Sequence, residues 1–273
     1  MNTSCRIGMI DVFLPDASTS YFRIDDDLAE YFHLETNDEA VKWLRKTLRE
    51  KIEPKLYKRI LIDYESSAVM IRTTSSDLIL ETAVIINEMA HSNLSEEEAA
   101  IARKQLLSHK RPKKQKWKVG DIFQVPLENG TYTFGQVVWK SYTHPVCGLL
   151  DLHLSDVPPL EDFIPPSFIA VLSITPNFLD NHRWKVLGNL AVAIQVEDVP
   201  EEFRGTDDAG AMSFTSGILE DLANAFFGVT PWNVSADEDF FDEILLPSVK
   251  RRSTAIVLSS TKRTLYRREQ KWE

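Results

Sequence analysis

Four residues in one short stretch carry metal-ligand chemistry. His144, Cys147, Asp151 and His153 offer the nitrogen, sulfur and oxygen donors that hold zinc. On a strand, however, Cys147, Asp151 and His153 share one parity and spread over about 20 Å at the usual rise per residue. One ion would need a sharp bend to reach all three, so no metal is expected. Paired acids are abundant: Asp207/Asp208, Glu220/Asp221, Asp237/Glu238/Asp239 and Asp242/Glu243. Acid–base catalysis needs two carboxylates in differently perturbed environments. These runs sit among polar residues, which predicts solvated side chains instead. No Gly-x-Ser-x-Gly, His-Glu-x-x-His, phosphate-loop or dinucleotide fingerprint occurs. The residues nominate no catalytic group and no cofactor.

The acids have a second use. The net charge of −10 is unevenly spread: residues 117–247 carry 5 basic and 20 acidic groups, a net −15, whereas residues 248–273 carry 8 basic and 2 acidic. A segment this negative repels phosphate backbones, which argues against nucleic acid, and attracts a cationic partner. The candidate partner-binding patch is Asp207, Asp208, Glu220, Asp221, Asp237, Glu238, Asp239, Asp242 and Glu243. Trp232, beside Pro231 and close to the last acids, is its expected aromatic anchor. Trp117, Phe123, Tyr132, Phe134, Trp139 and Trp184 read as β-sheet core.

The elements that must position these groups fall into two domains of an α+β chain. Residues 1–108 predict a small α+β domain. It contains a strand over 5–14, a short helix after Asp27, and a capped helix from Thr36 to Pro54 with Val41, Leu44, Leu48 and Ile52 on one stripe. A hairpin over 59–72, a nearly all-apolar helix over 78–89 and a Ser95/Glu98 capping box follow. The 78–89 helix could also serve a homodimer. Residues 109–116 (HKRPKKQK) read as a solvated basic linker, since no aromatic interleaves to stack on bases. Residues 117–258 predict a strongly bent antiparallel sheet or half-open barrel with flanking helices, including strands over 146–154, 168–174, 184–187 and 191–196. A helix over 214–227, a short acidic helix over 237–246 and a last strand over 254–258 complete it. The basic tail, 259–273, either returns to neutralise this domain or frays. Cys5 and Cys147 are expected as buried free thiols in a reducing cytoplasm. The N-terminus has no secretory pattern, and no apolar run nears the roughly 18 residues of a membrane span.

Trp117 to Trp139 specifies a hairpin most directly, with alternating strands about Asn129-Gly130, a pair suited to a type I′ turn. Gly135 inside the returning strand signals a bulge or a close backbone approach. Gly120-Asp121-Ile122-Phe123, the turn at Gly130, Tyr132-x-Phe134-Gly135-Gln136-Val137 and Arg183-Trp184-Lys185-Val186-Leu187-Gly188 together resemble the immunity protein 26 family of bacterial polymorphic-toxin systems. The resemblance spans roughly residues 117–204. It implies a cytoplasmic protein that binds and neutralises a cationic, nuclease-like toxin domain. Because some relatives in that family carry a phosphotriesterase label, a hydrolase is the alternative, and a non-enzymatic regulatory module is a third.

Overall fold

The structure, a computed structural model, describes residues 4–92, 94–141, 144–163, 167–192, 194–204, 212–270 and 272. The chain is α+β and divides into two compact units, Met1–Lys113 and Lys114–Glu273. Each contains a five-stranded antiparallel sheet.

In the first unit, β1 (Ser4–Ile7) and β2 (Ile10–Phe13) form a hairpin rather than one strand, because Gly8 takes a positive φ of 58° and turns the chain. β3 (Phe22–Asp26) follows, then α1 (Leu28–Phe32), α2 (Asn37–Lys51) and α3 (Pro54–Tyr57). β4 (Leu61–Tyr64), β5 (Val69–Thr73), α4 (Ser76–Met89) and α5 (Glu96–Ser108) complete the unit. The strand order is β1-β2-β3-β5-β4. Thr36 accepts from Glu39 N to cap α2, and Ser95 with Glu98 forms the full reciprocal box on α5. α4 is apolar on nearly every side because its own unit surrounds it. Ile79, Ala83 and Ile86 are fully buried, so these residues are not available to a dimer interface. The basic stretch is less solvated than expected: His109 Nε2 meets Pro15 O, and Arg111 donates to Asp16 O and Ala17 O.

The second unit begins with β6 (Asp121–Pro126), β7 (Tyr132–Lys140), β8 (Pro145–Leu154) and β9 (Phe168–Ser173). Short α6 (Asn177–Asp180) leads to β10 (Val186–Asn189). The sheet order is β10-β6-β7-β8-β9, open at both edges, with register irregularities in the β10–β6, β7–β8 and β8–β9 ladders. α7 (Gly217–Phe226), α8 (Phe240–Glu243) and α9 (Ser260–Glu269) follow. Several expected boundaries shift. Residues 196–198 form a 3-10 turn instead of ending a strand. Phe214 lies outside α7 because it bridges Ile174. The acidic helix shrinks to four residues, and residues 254–258 give only a single bridge, Pro231 to Ile256.

The β6–β7 hairpin forms with a different turn. Gly130 N donates to Leu127 O, Leu127 N donates to Thr131 O, and within the loop only Gly130 has positive φ, at 83°. This is a three-residue connection with glycine at the left-handed position, not a two-residue type I′ turn. The residues that carry the family resemblance meet in one corner of this sheet. Gly135 leaves the space occupied by Phe123, whose ring would lie 2.4 Å from an added Cβ. Phe123 in turn stacks on Trp184, with centroids 5.0 Å apart and planes 7° off parallel. Asp121 is buried and accepts from Lys118 N and Asn189 Nδ2, while Gly188 passes under Leu160. Their role here is packing.

Candidate functional site

The acids expected to form one surface are divided by the fold. Asp207 and Asp208 lie outside the described residues. Glu220 is buried on α7, where Arg183 holds both carboxyl oxygens and Trp184 Nε1 donates to Oε2 at 3.3 Å. It belongs to the core, because an amphipathic helix directs this position inward against the Trp184 corner. Trp232 is fully buried as well, so it is not a surface anchor. Its ring packs edge-on to Phe241, with centroids 5.4 Å apart, and its Nε1 donates to Asp242 Oδ2 at 2.9 Å. Asp242 also faces Arg251 at 3.6 Å. Glu238 pairs with Arg263 at 3.2 Å. Asp237, Asp239 and Glu243 remain exposed, and the Asp237 carboxylate accepts from Asp239 N in its own turn.

The basic tail returns to this unit. Arg263 of α9 donates to the carbonyls of Asn233, Ser235 and Ala236, and Arg267 donates to Val234 O at 2.8 Å. Four successive carbonyls are thereby held by two guanidiniums, a use of arginine's fixed fork that lysine cannot reproduce. Asn233 exchanges hydrogen bonds with Leu258 N and O, which fixes the approach to α9.

This docking encloses a cleft of about 160 Å³. α7 contributes Ile218 and Asp221, the β6–β7 turn contributes Glu128, and α8 contributes Phe241. Thr230, Val234 and Ser235 also line it, and the tail contributes Tyr266, Gln270 and Trp272. Glu128 is positioned through its backbone, whose N donates to Asn224 Oδ1 at 2.9 Å. Tyr266 and Trp272 meet edge to face, with centroids 6.0 Å apart.

Asp221 stands at the rim, exposed on one side and facing the cleft on the other. Loss of water raises its pKa to about 6, and the nearby Glu220 and Glu128 add to the rise. Tyr266 is raised for the same reasons: burial first, then Glu128 and Asp221. Each group would be relieved by an entering cation, and the aromatic side adds a surface suited to one. The volume is close to that of a cavity that binds a single benzene ring and well below the roughly 300 Å³ of the smallest drug-sized pockets. It fits one side-chain head group.

The zinc-like stretch is occupied otherwise. Cys147 is buried and its thiol is pushed far up by desolvation. Asp151 is paired with Arg252, and His153 Nε2 meets Thr131 Oγ1 at 2.6 Å while its ring packs against Phe227. Among the described residues no three His, Cys, Asp or Glu side chains are placed to hold one metal ion. No helix among them is long and apolar enough to cross a membrane. Sequence reading missed Glu128, Tyr266 and Trp272, whose only local signal is an isolated acid in a turn and two aromatics in a basic tail. Comparison with family models, with curated proteins and with solved structures gives no match.

Proposed function

We propose that the second unit is a binding module for a cationic protein, acting in the manner of the immunity proteins that residues 117–204 resemble. The observation that supports this reading is the acidic cleft with an aromatic side, formed where α9 docks. A lysine or arginine of the partner enters between Glu128 and Asp221, against Tyr266 and Trp272. Asp237, Asp239 and Glu243 add to the negative field that steers the encounter. In this reading the partner is a basic toxin domain, and the module neutralises it by covering its cationic surface. The test is co-expression with a toxin domain encoded beside this gene. Restored growth that is lost in the E128Q/D221N double variant supports the proposal. Failure of the unaltered protein to restore growth counts against it.

A second reading, a hydrolase acting on neutral phosphotriesters, is favoured by Asp221 alone. A carboxyl that titrates near neutrality beside another acid can exchange protons with a substrate. Turnover of an aryl phosphotriester by the purified chain, abolished by D221N, would favour this reading over the first.

A further inference from the structure

On the first unit's sheet, Arg23 of β3 and Arg72 of β5 are direct cross-strand partners. Their strand neighbours Phe22, Ile24, Ile71 and Thr73 are buried, so both arginines project from the face opposite the core. Like charges directly opposite one another, with Cβ atoms about 5 Å apart, disfavour a sheet. The acids nearby relieve this only in part. Asp63 accepts from Arg72 Nη2, but Asp25 lies 3.7 Å from Arg23 Nε, too far for a hydrogen bond. The Nε atoms of both arginines are buried and have no acceptor. Both guanidiniums are oriented by rings: Arg23 sits over Phe13 at 4.9 Å and Arg72 over Tyr21 at 5.6 Å.

Beside Arg72 opens a cleft of about 400 Å³ that also takes in Tyr21, Lys58, Arg59 and the exposed Leu61. Tyr21 lines a second, smaller cavity with Arg23 and so connects the two arginines. Lys58 and Arg59 are exposed and form no ion pair among the described residues. Arg23, Lys58, Arg59 and Arg72 face Asp25, Asp63 and Asp16, the last lining the smaller cavity with Arg23, so the face keeps an excess of one positive charge.

We propose that this face binds a phosphate group through the guanidinium groups of Arg23 and Arg72. Planar guanidiniums match phosphate geometry with paired hydrogen bonds, and the net positive charge favours an anion. The cleft lies within the roughly 300–1,000 Å³ range of small-ligand sites, so Tyr21 and Leu61 can cover an organic body carrying the phosphate. The site is on the first unit and does not depend on the function proposed for the second.

The test titrates the full chain at low salt with inorganic phosphate, adenosine monophosphate and adenosine, reading the Arg Nε–Hε resonances by NMR. Both phosphate-bearing ligands should shift Arg23 and Arg72 at millimolar concentration, whereas adenosine should not. Tighter binding of the monophosphate assigns an ester as ligand, and equal binding assigns the oxyanion alone. R23Q and R72Q should each weaken binding tenfold or more. K58Q/R59Q, on exposed positions that leave the sheet untouched, should weaken it severalfold. Absence of a shift with either phosphate, an equal shift with adenosine, or unchanged affinity in all three variants would overturn the proposal.

Discussion

Arg183 grips both carboxyl oxygens of Glu220, joining the loop before β10 to the buried side of α7. Trp184 adds its indole N–H to the same carboxylate, so one acid organises two residues of the resemblance corner. A buried, hydrogen-bonded charge is costly to leave half-paired. E220Q and R183M should each lower unfolding free energy by about 2 kcal/mol, discounted because Arg183 is partly exposed. Chemical denaturation measures this. Because Glu220 lies in the core, E220Q should leave the salt dependence of partner binding unchanged.

The second prediction concerns pH. In the unfolded chain Asp221 loses its proton near pH 4, whereas in the fold it does so at about 6. The folded state therefore binds more protons across that interval. The associated stability is fully present below about pH 4 and is lost as pH rises through 6. D221N removes the titration. The melting point of the unaltered protein should fall relative to D221N between pH 4 and 7, as followed by circular dichroism at several pH values. Parallel curves would show that Asp221 is not perturbed.

A third prediction separates packing from surface chemistry at Trp232. W232F removes the indole N–H that Asp242 accepts and part of a fully buried ring system. It should cost about 1–3 kcal/mol in stability, and affinity for a cationic protein should not change once the fold is intact. A large loss of affinity with normal stability would return Trp232 to the binding surface.

G135A probes the corner itself. An added Cβ would lie 2.4 Å from the Phe123 ring and 2.9 Å from Gly148 O, so either the ring or the neighbouring strand must shift. Overpacking of this kind costs about 1–3 kcal/mol. The Phe123–Trp184 stack should be disturbed with it, and near-ultraviolet circular dichroism reports that directly.

Local chemistry explains which parts of this structure were legible in the sequence. The Thr36 cap, the Ser95 capping box, the apolar α4 and the β6–β7 hairpin each depend on neighbouring residues. Even there, the turn type was decided by one more residue, since Glu128 joins the loop and only Gly130 takes positive φ. Sequence predicts one strand over 5–14 across the Gly8 turn, because the flanks Ile7 and Ile10 suit a continuous strand equally well. The acidic patch expected from sequence does not form among the described residues, for a different reason. Composition gives the sum of charge but not its direction: Glu220 and Asp221 are adjacent in sequence, yet α7 buries one and leaves the other at the cleft rim. Glu128, Asp221 and Tyr266 are brought together only when Arg263 and Arg267 dock α9, a long-range event without a periodic signature.

In the proposed function the α9 cleft receives a cationic side chain. Titrating the full chain with a short arginine-containing peptide, while following the Tyr266 and Trp272 resonances, tests it most directly. Both rings should show saturable shifts, with affinity weakened by added salt and reduced about tenfold in E128Q/D221N. Shifts confined to other parts of the chain, or equal binding by the double variant, would contradict it.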